Sequence, residues 1–300
     1  TSKIDFIDEN NALDPTFVSD KGPGMGDTAW DARKLNMLLA NKATDFIKRS
    51  AGDKPFLLNY WSPAVHIPHT PPKTINGKKI AGTTPSSHLD MNRVLDLEVE
   101  HIIQALKDTG EYENTLIIFT SDNGGLLDGK AKKAGHLSAA QYRGSKNLAF
   151  EGGHRVPFIA VWANKIKPNS INNTLVNGTD IVATIAAVTS VPIIKQQAKD
   201  SWNLLPTLLG KSYQAREELM AQAGSKTELI LRQGPWKLII DTNPKLTQHK
   251  VTALFNLSNN PTENTQFNFV DHPDYQARIK SMEKHYWQVR NSEQRTVKLK

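Results

Sequence analysis

Four short stretches carry residue types that do chemistry. Asp122-Asn123 closes an apolar run and sets a carboxylate beside an amide carbonyl. Two hard oxygens of that kind suit Ca²⁺ or Mg²⁺, although Asp-Asn-Gly is equally good turn chemistry. His66 and His69 stand in a proline-rich stretch from Pro63 to Pro72. Prolines fix φ and stiffen a loop. A histidine held there can deliver a proton near neutral pH, or simply pack. Arg143-Gly144-Ser145-Lys146 and Glu151-Gly152-Gly153-His154-Arg155 make up the last two stretches. Their glycines allow sharp turns and close backbone approach. Lys146 can bring a point charge to a sulfate or phosphate oxygen, or stay solvated. Arg143 and Arg155 can do the same, or brace loops through carboxylates.

These stretches need a scaffold. Trp30, Leu35, Leu38, Leu39, Phe46 and Ile47 recur at helical spacing and predict a helix over 28–50. A second helix is predicted over 88–109, with Gly110 where a C-terminal cap belongs, a third over 181–189 and a last over 273–289. Apolar runs at 56–61, 115–120 and 156–162 read as buried strands of a parallel sheet. Strands alternating with helices imply an α/β fold with a mostly parallel sheet flanked by helices. Such sheets place ligands at the carboxyl ends of their strands, which puts the His69 loop and Asp122 on one rim. Beyond about residue 210 short strand-like runs at 228–231, 236–241 and 253–257 predict a small C-terminal antiparallel sheet and helix. The division expected is a catalytic α/β portion over 1–210 and a small α+β subdomain over 211–300. Residues 1–27, polar and rich in Asp, Asn and Gly, read as irregular loop.

Composition narrows the field. The chain has 300 residues, 38% hydrophobic and 22% charged, as in a globular protein rather than a disordered one. No apolar run approaches the roughly eighteen residues of a membrane span. Cysteine is absent, which excludes disulfides, thiolate metal sites and a cysteine nucleophile within the chain. The net charge of +7 favours anionic partners. The basic residues are scattered, so no nucleic-acid partner is expected. Asn172, Asn177 and Asn256 begin N-x-Ser/Thr triplets, which also arise by chance.

Taken together and in order, Pro-His-Thr-Pro, Ser-Asp-Asn-Gly, Arg-Gly-Ser-Lys and Glu-Gly-Gly-x-Arg-Val-Pro-Phe resemble the C-terminal half of the formylglycine-dependent sulfatases, of the alkaline phosphatase-like superfamily. The likeness runs from about Lys54 to Arg290. Asn203 to Gly210, Arg232 to Leu238, and Leu254-Phe255-Asn256-Leu257 with Asn260-Pro261-Thr262-Glu263 support it, Phe255 and Asn260 being mild departures. The resemblance implies a sulfuric ester hydrolase acting on a sulfated carbohydrate, a polysaccharide or oligosaccharide. Asp122 and Asn123 match calcium ligands, Lys146 matches the lysine on the sulfate ester, and His69 matches the histidine near the leaving-group oxygen. His66 has no assigned role beyond a subsite contact. His136, Lys130, Lys132 and Lys133 precede the Lys146 motif where family members vary, and with Arg143 are candidates for substrate binding.

The departure from the family is large. The family's nucleophile, a Cys or Ser in Cys/Ser-x-Pro-x-Arg that becomes formylglycine, has no counterpart here. The early Asp-Asp and Lys-x-His pairs are missing too, and two oxygens fall short of the six or more that Ca²⁺ takes. The chain opens on Thr1 without an initiator Met or a signal segment. The expectation is therefore a partner segment, the N-terminal portion of the same enzyme, that supplies the nucleophile. Secreted or periplasmic placement follows from the family. Two other readings stay open: a degenerate sulfatase that only binds anionic glycan, and a phosphonate or phosphodiester hydrolase.

Overall fold

A computed structural model describes residues 4–13, 18, 22–194, 196–212, 216–224 and 227–292. The chain divides into two compact units, one of residues 1–115 with 128–136 and one of residues 116–127 with 137–300.

In the first unit, β1 (Ile4–Ile7) and β2 (Gly24–Asp27) form an antiparallel hairpin where irregular loop was expected. Its strands are mostly exposed, Ile4 at 62% and Phe6 at 53%. A ladder with no buried face leaves no alternation to read in the sequence. Helix α1 (Ala32–Ser50) starts at Asp31, whose side chain accepts from Arg33 N. Such caps satisfy a backbone donor that the helix cannot. A short hairpin of β3 (Thr74–Ile75) and β4 (Lys78–Lys79) follows, then α2 (Ser87–Asp108), capped by Ser86 Oγ accepting from Leu89 N at 3.3 Å. Gly110 beyond its end has φ +75°, the left-handed conformation foreseen for that position. Asp90, 2% exposed, accepts from Gly82 N at 2.7 Å and Thr84 N at 2.9 Å and pins the loop before α2. Ile75, Ile80, Met91 and Val94 form the core of this unit. The last element is α3 (Gly129–Lys133).

The second unit begins with β5 (Ile117–Thr120) and, after α4 (Glu151–His154), β6 (Phe158–Val161). These two strands pair antiparallel, Ile117 opposite Val161 and Thr120 opposite Phe158. The short helices α5 (Asp180–Val188) and α6 (Leu205–Leu208) follow. Then come β7 (Glu218–Gln222), β8 (Glu228–Gln233), β9 (Trp236–Thr242) and β10 (His249–Asn256), an antiparallel sheet in the order β10-β9-β8-β7, and α7 (Gln276–Arg290). The side-chain alternation divides the sheet into two buried faces. Leu229, Leu231, Leu238, Ile240 and Leu254 pack with Ile279, Met282 and Tyr286 of α7. Ile230, Ile239, Ala253 and Phe255 pack with Ala149 and Leu257.

The C-terminal antiparallel sheet and helix agree with the sequence reading. The mostly parallel sheet does not: among the described residues every strand pair is antiparallel. Residues 56–61 form no strand. Nor is the run at 56–61 buried, with Leu57 59% and Trp61 78% exposed: a short apolar run fixes neither burial, nor which neighbour pairs with it, nor in which direction. No helix is long and apolar enough to cross a membrane among the described residues.

Candidate active site

In the second unit three loops meet through their backbones. β5 ends at Thr120, and the turn Ser121 to Gly125 follows. Ser121 Oγ donates to the Asn123 carbonyl at 3.0 Å, and Asn123 Nδ2 donates to the Gly124 carbonyl at 3.0 Å. Gly124 N donates to Gly153 O at 2.9 Å, Lys146 N to Gly125 O at 3.0 Å, and Gly152 N to Arg143 O at 2.7 Å. Glycine is required here by close approach. A Cβ on Gly124 would lie 2.0 Å from Gly152 O, and one on Gly153 would lie 2.0 Å from Leu148 O. Asp122, Asn123 and Lys146 thus share one loop cluster, a carboxylate and an amide on one strand end with a lysine stitched to the same turn.

Beneath these loops lies a buried ion cluster that sequence reading missed. Lys237, on the face of β9 opposite α7, has no solvent exposure. Its Nζ lies 3.0 Å from Glu151 Oε1, 2.8 Å from Glu263 Oε1 and 2.9 Å from His154 Nε2. Glu263 also accepts from Glu151 N, and its carbonyl accepts from Arg143 Nη1 at 3.1 Å. Arg143 covers the Phe150 ring at 3.7 Å, so its recorded partners are parts of the scaffold. Burial pushes the Glu151 carboxyl up, but the charges of Lys237 and His154 outweigh it and hold the carboxyl below its usual range. Burial wins at Glu263, which is raised. His154 is pushed down to about 4, by burial first and by the Lys237 charge second.

The first unit holds His66, His69, His88 and His136. The rings of His69 and His88 stand 4.9 Å apart, tilted by 46°. His88 is 4% exposed. His69 Nε2 and His88 Nδ1 are both sealed from solvent without a hydrogen-bond partner among the described residues. Burial lowers His88, His69 lowers it further, and the Asp128 carboxylate opposes them. Asp128 caps α3 by accepting from Ala131 N at 2.6 Å. Its own carboxyl is held down by that bond first, and then by Ser86, His88 and His69. His136 follows α3, is exposed, and bears on His88 electrostatically. Lys130, Lys132 and Lys133 are exposed on α3. His66 is exposed, with Nδ1 2.7 Å from Ile67 O.

Of the residues singled out in the sequence, Asp122, Asn123, Arg143 and Lys146 belong to the second unit, and His66, His69, Lys133 and His136 to the first. His88, Asp128, Lys237 and Glu263 were not foreseen. His88 reads in sequence as a polar residue at a helix start, and Asp128 as a turn. The faint signal for Lys237 is a lysine in the middle of an apolar strand.

The donor set of Asp122 and Asn123 fits a hard divalent cation: a carboxylate and an amide oxygen on one turn. The Asp122 side chain is exposed and meets Ser121 Oγ at 3.5 Å. Among the described residues no three His, Asp or Glu side chains gather closely enough to hold a metal. These two residues are therefore at most part of a coordination shell.

The Sulfatase family model matches residues 4–191. The chain is 34% identical over 249 residues to an N-acetylgalactosamine-6-O-sulfatase of Bacteroides thetaiotaomicron, covering 78% of this chain and 47% of that protein. It is 34% identical over 176 residues to the human N-acetylgalactosamine-6-sulfatase, covering 58% of this chain and 32% of that one. A solved structure from work on the metabolism of multiple glycosaminoglycans by Bacteroides thetaiotaomicron superposes with a TM-score of 0.77 at 29% identity, over 90% of this chain and 57% of that one. The chain spans about half the length, or less, of these curated relatives.

Proposed function

The chain belongs to the sulfatase family, within the alkaline phosphatase-like superfamily, and on that premise we propose that it is part of a sulfuric ester hydrolase acting on a sulfated carbohydrate. The observation that supports this most is the loop cluster, where the Lys146 backbone is bonded to the turn that carries Asp122 and Asn123. That bond ties the backbone of a lysine to the turn that carries two hard oxygen donors, the residue types that a multiply charged oxyanion ester demands. The names of the relatives point to 6-O-sulfated N-acetylgalactosamine as the sugar.

In this reading each group has one task. Lys146 contacts a sulfate oxygen and stabilises the charge that grows there. His69 gives a proton to the departing sugar oxygen, with the tilted His88 ring 4.9 Å away. Asp122 and Asn123 would hold a divalent cation, taken as Ca²⁺, whose chemistry is to neutralise sulfate charge. The nucleophile is a formylglycine supplied from outside these residues, since the chain has no Cys and no Ser-x-Pro-x-Arg. His66, His136, Lys133 and Arg143 are assigned to the substrate, Arg143 through its bracing of the loop. Residues 1–210 belong to the catalytic domain, and 211–300 form its small subdomain. The protein is secreted or periplasmic, where sulfated glycans are found.

The test compares turnover of an aryl sulfate and of the matching aryl phosphate by the full-length protein. Faster sulfate hydrolysis, lost in Lys146→Ala, supports the reading. Preference for the phosphate, or turnover of neither, contradicts it.

A further inference from the structure

A cleft of about 840 Å³ opens in the second unit, and none of its lining residues belongs to the 122–154 loops. Asn172, Asn173, Trp202, Arg216, Glu218 and Gln233 are among its walls. Its size is typical of small-molecule sites, roughly 300–1,000 Å³.

The walls are pre-set from beneath. Asp180, fully buried, accepts from Trp202 N at 2.9 Å and from Arg216 Nη2. Arg216 Nη2 also donates to Asp200 O at 2.9 Å. The guanidinium stands 5.6 Å from the Trp202 ring. Elsewhere in the lining, Gln233 Nε2 donates to Glu218 at 3.1 Å, and Glu218 faces His285 Nε2 at 2.7 Å. Side chains held in this way lose little freedom when a ligand arrives.

One donor in the wall is unmet. The Arg216 side chain is 8% exposed, and its Nε, sealed from solvent, has no partner among the described residues. Buried N–H groups normally have acceptors; this one is closed to solvent, so the Arg216 side chain must shift before a ligand oxygen in the cleft can reach it. The remaining chemistry selects the ligand. Planar amide, carboxylate and guanidinium groups offer donors and acceptors in fixed planes, which suit hydroxyl and acetamido groups, while an indole face covers C–H surface. The two arginines of the lining, Arg216 and Arg232, are matched by Glu217 and Glu218. No surplus positive charge is left to draw a sulfate into the cleft.

We propose that this cleft is a second carbohydrate-binding site, which takes an unsulfated segment of a glycan chain. The ligand class rests on the glycan reading above; the cleft and its unmet donor do not.

The test is calorimetric titration of the full-length protein with a desulfated, carboxyl-reduced chondroitin hexasaccharide, in saturating inorganic sulfate to block the sulfate ester site. Binding should persist in sulfate and weaken at least tenfold in Trp202→Ala and in Gln233→Ala. Gln233→Ala decides the matter if Trp202→Ala fails to fold. No binding by the parent protein, binding abolished by sulfate, or full affinity in Gln233→Ala overturns the site. Binding without any sulfate-ester turnover refutes the proposed hydrolase and leaves the site standing. Turnover without binding does the reverse.

Discussion

Lys237 Nζ lies 3.0 Å from Glu151 Oε1, with the lysine side chain wholly buried and the glutamate side chain 2% exposed. Glu263 Oε1 completes the cluster at 2.8 Å. Glu151 opens α4 and Glu263 lies in the turns after β10, so one ammonium ties the C-terminal sheet to the loops that carry Lys146. Removing the cation leaves Glu151 only the half-exposed Arg155, at 3.4 Å, and takes from the buried Glu263 the ammonium that faces it. Lys237→Met should destabilise the protein by about 3–5 kcal/mol, read as a shifted midpoint in urea unfolding. A change below about 1 kcal/mol would show that the cluster is not closed as described.

His154 sets a pH dependence. A base whose folded pKa lies below its unfolded value contributes stability in full above the unfolded value and loses it as pH falls toward the folded one. With His154 pushed from 6.5 to about 4, folding should lose roughly 3 kcal/mol between pH 6.5 and 4 through this residue. The raised Glu263 works in the opposite sense, adding stability as pH falls. The informative quantity is therefore the difference between variants: the unfolding free energy of His154→Gln should depend less steeply on pH in that window. Parallel profiles would contradict the assignment.

Gly153 leaves no room for a methyl group, since its Cβ would sit 2.0 Å from Leu148 O. Backbone cannot yield as a flexible side chain does, so Gly153→Ala should cost about 1–3 kcal/mol or more and displace the Lys146 loop. Gly178→Ala, whose Cβ meets nothing within 4 Å, is the control and should melt with the parent. Equal melting of both variants would remove the case for tight loop packing.

Proton donation by His69, as proposed, would have a kinetic signature. His69→Asn should lower turnover of an alkyl or sugar sulfate by about 10²–10⁴. An aryl sulfate with a strongly acidic phenol leaves without a proton, and there the loss should shrink toward unity. Equal losses on both substrates would make His69 a structural residue.

Much of this was legible in the sequence, for physical reasons. The long helices announced themselves through spacing, and Gly110 through the cap it makes. The motif around Asp122, Lys146 and Glu151 was legible because close backbone approach admits only glycine at 124, 152 and 153. Strand direction was not legible at 115–120 or 156–162, because an apolar run carries no record of its neighbour. Lys237 and His88 were hidden because burial of a polar group depends on partners far away in sequence, 86 residues for Lys237 and Glu151.

Lys146 is proposed to serve a sulfate ester. The most direct measurement is free sulfate, by ion chromatography, after the full-length protein meets a 6-O-sulfated N-acetylgalactosamine glycan, with Lys146→Ala alongside. The parent should release stoichiometric sulfate, and the variant should lose about 10²–10³ in rate, the scale of one removed charge-stabilising group. Release at equal rates from both proteins, or no release from the parent, would contradict it.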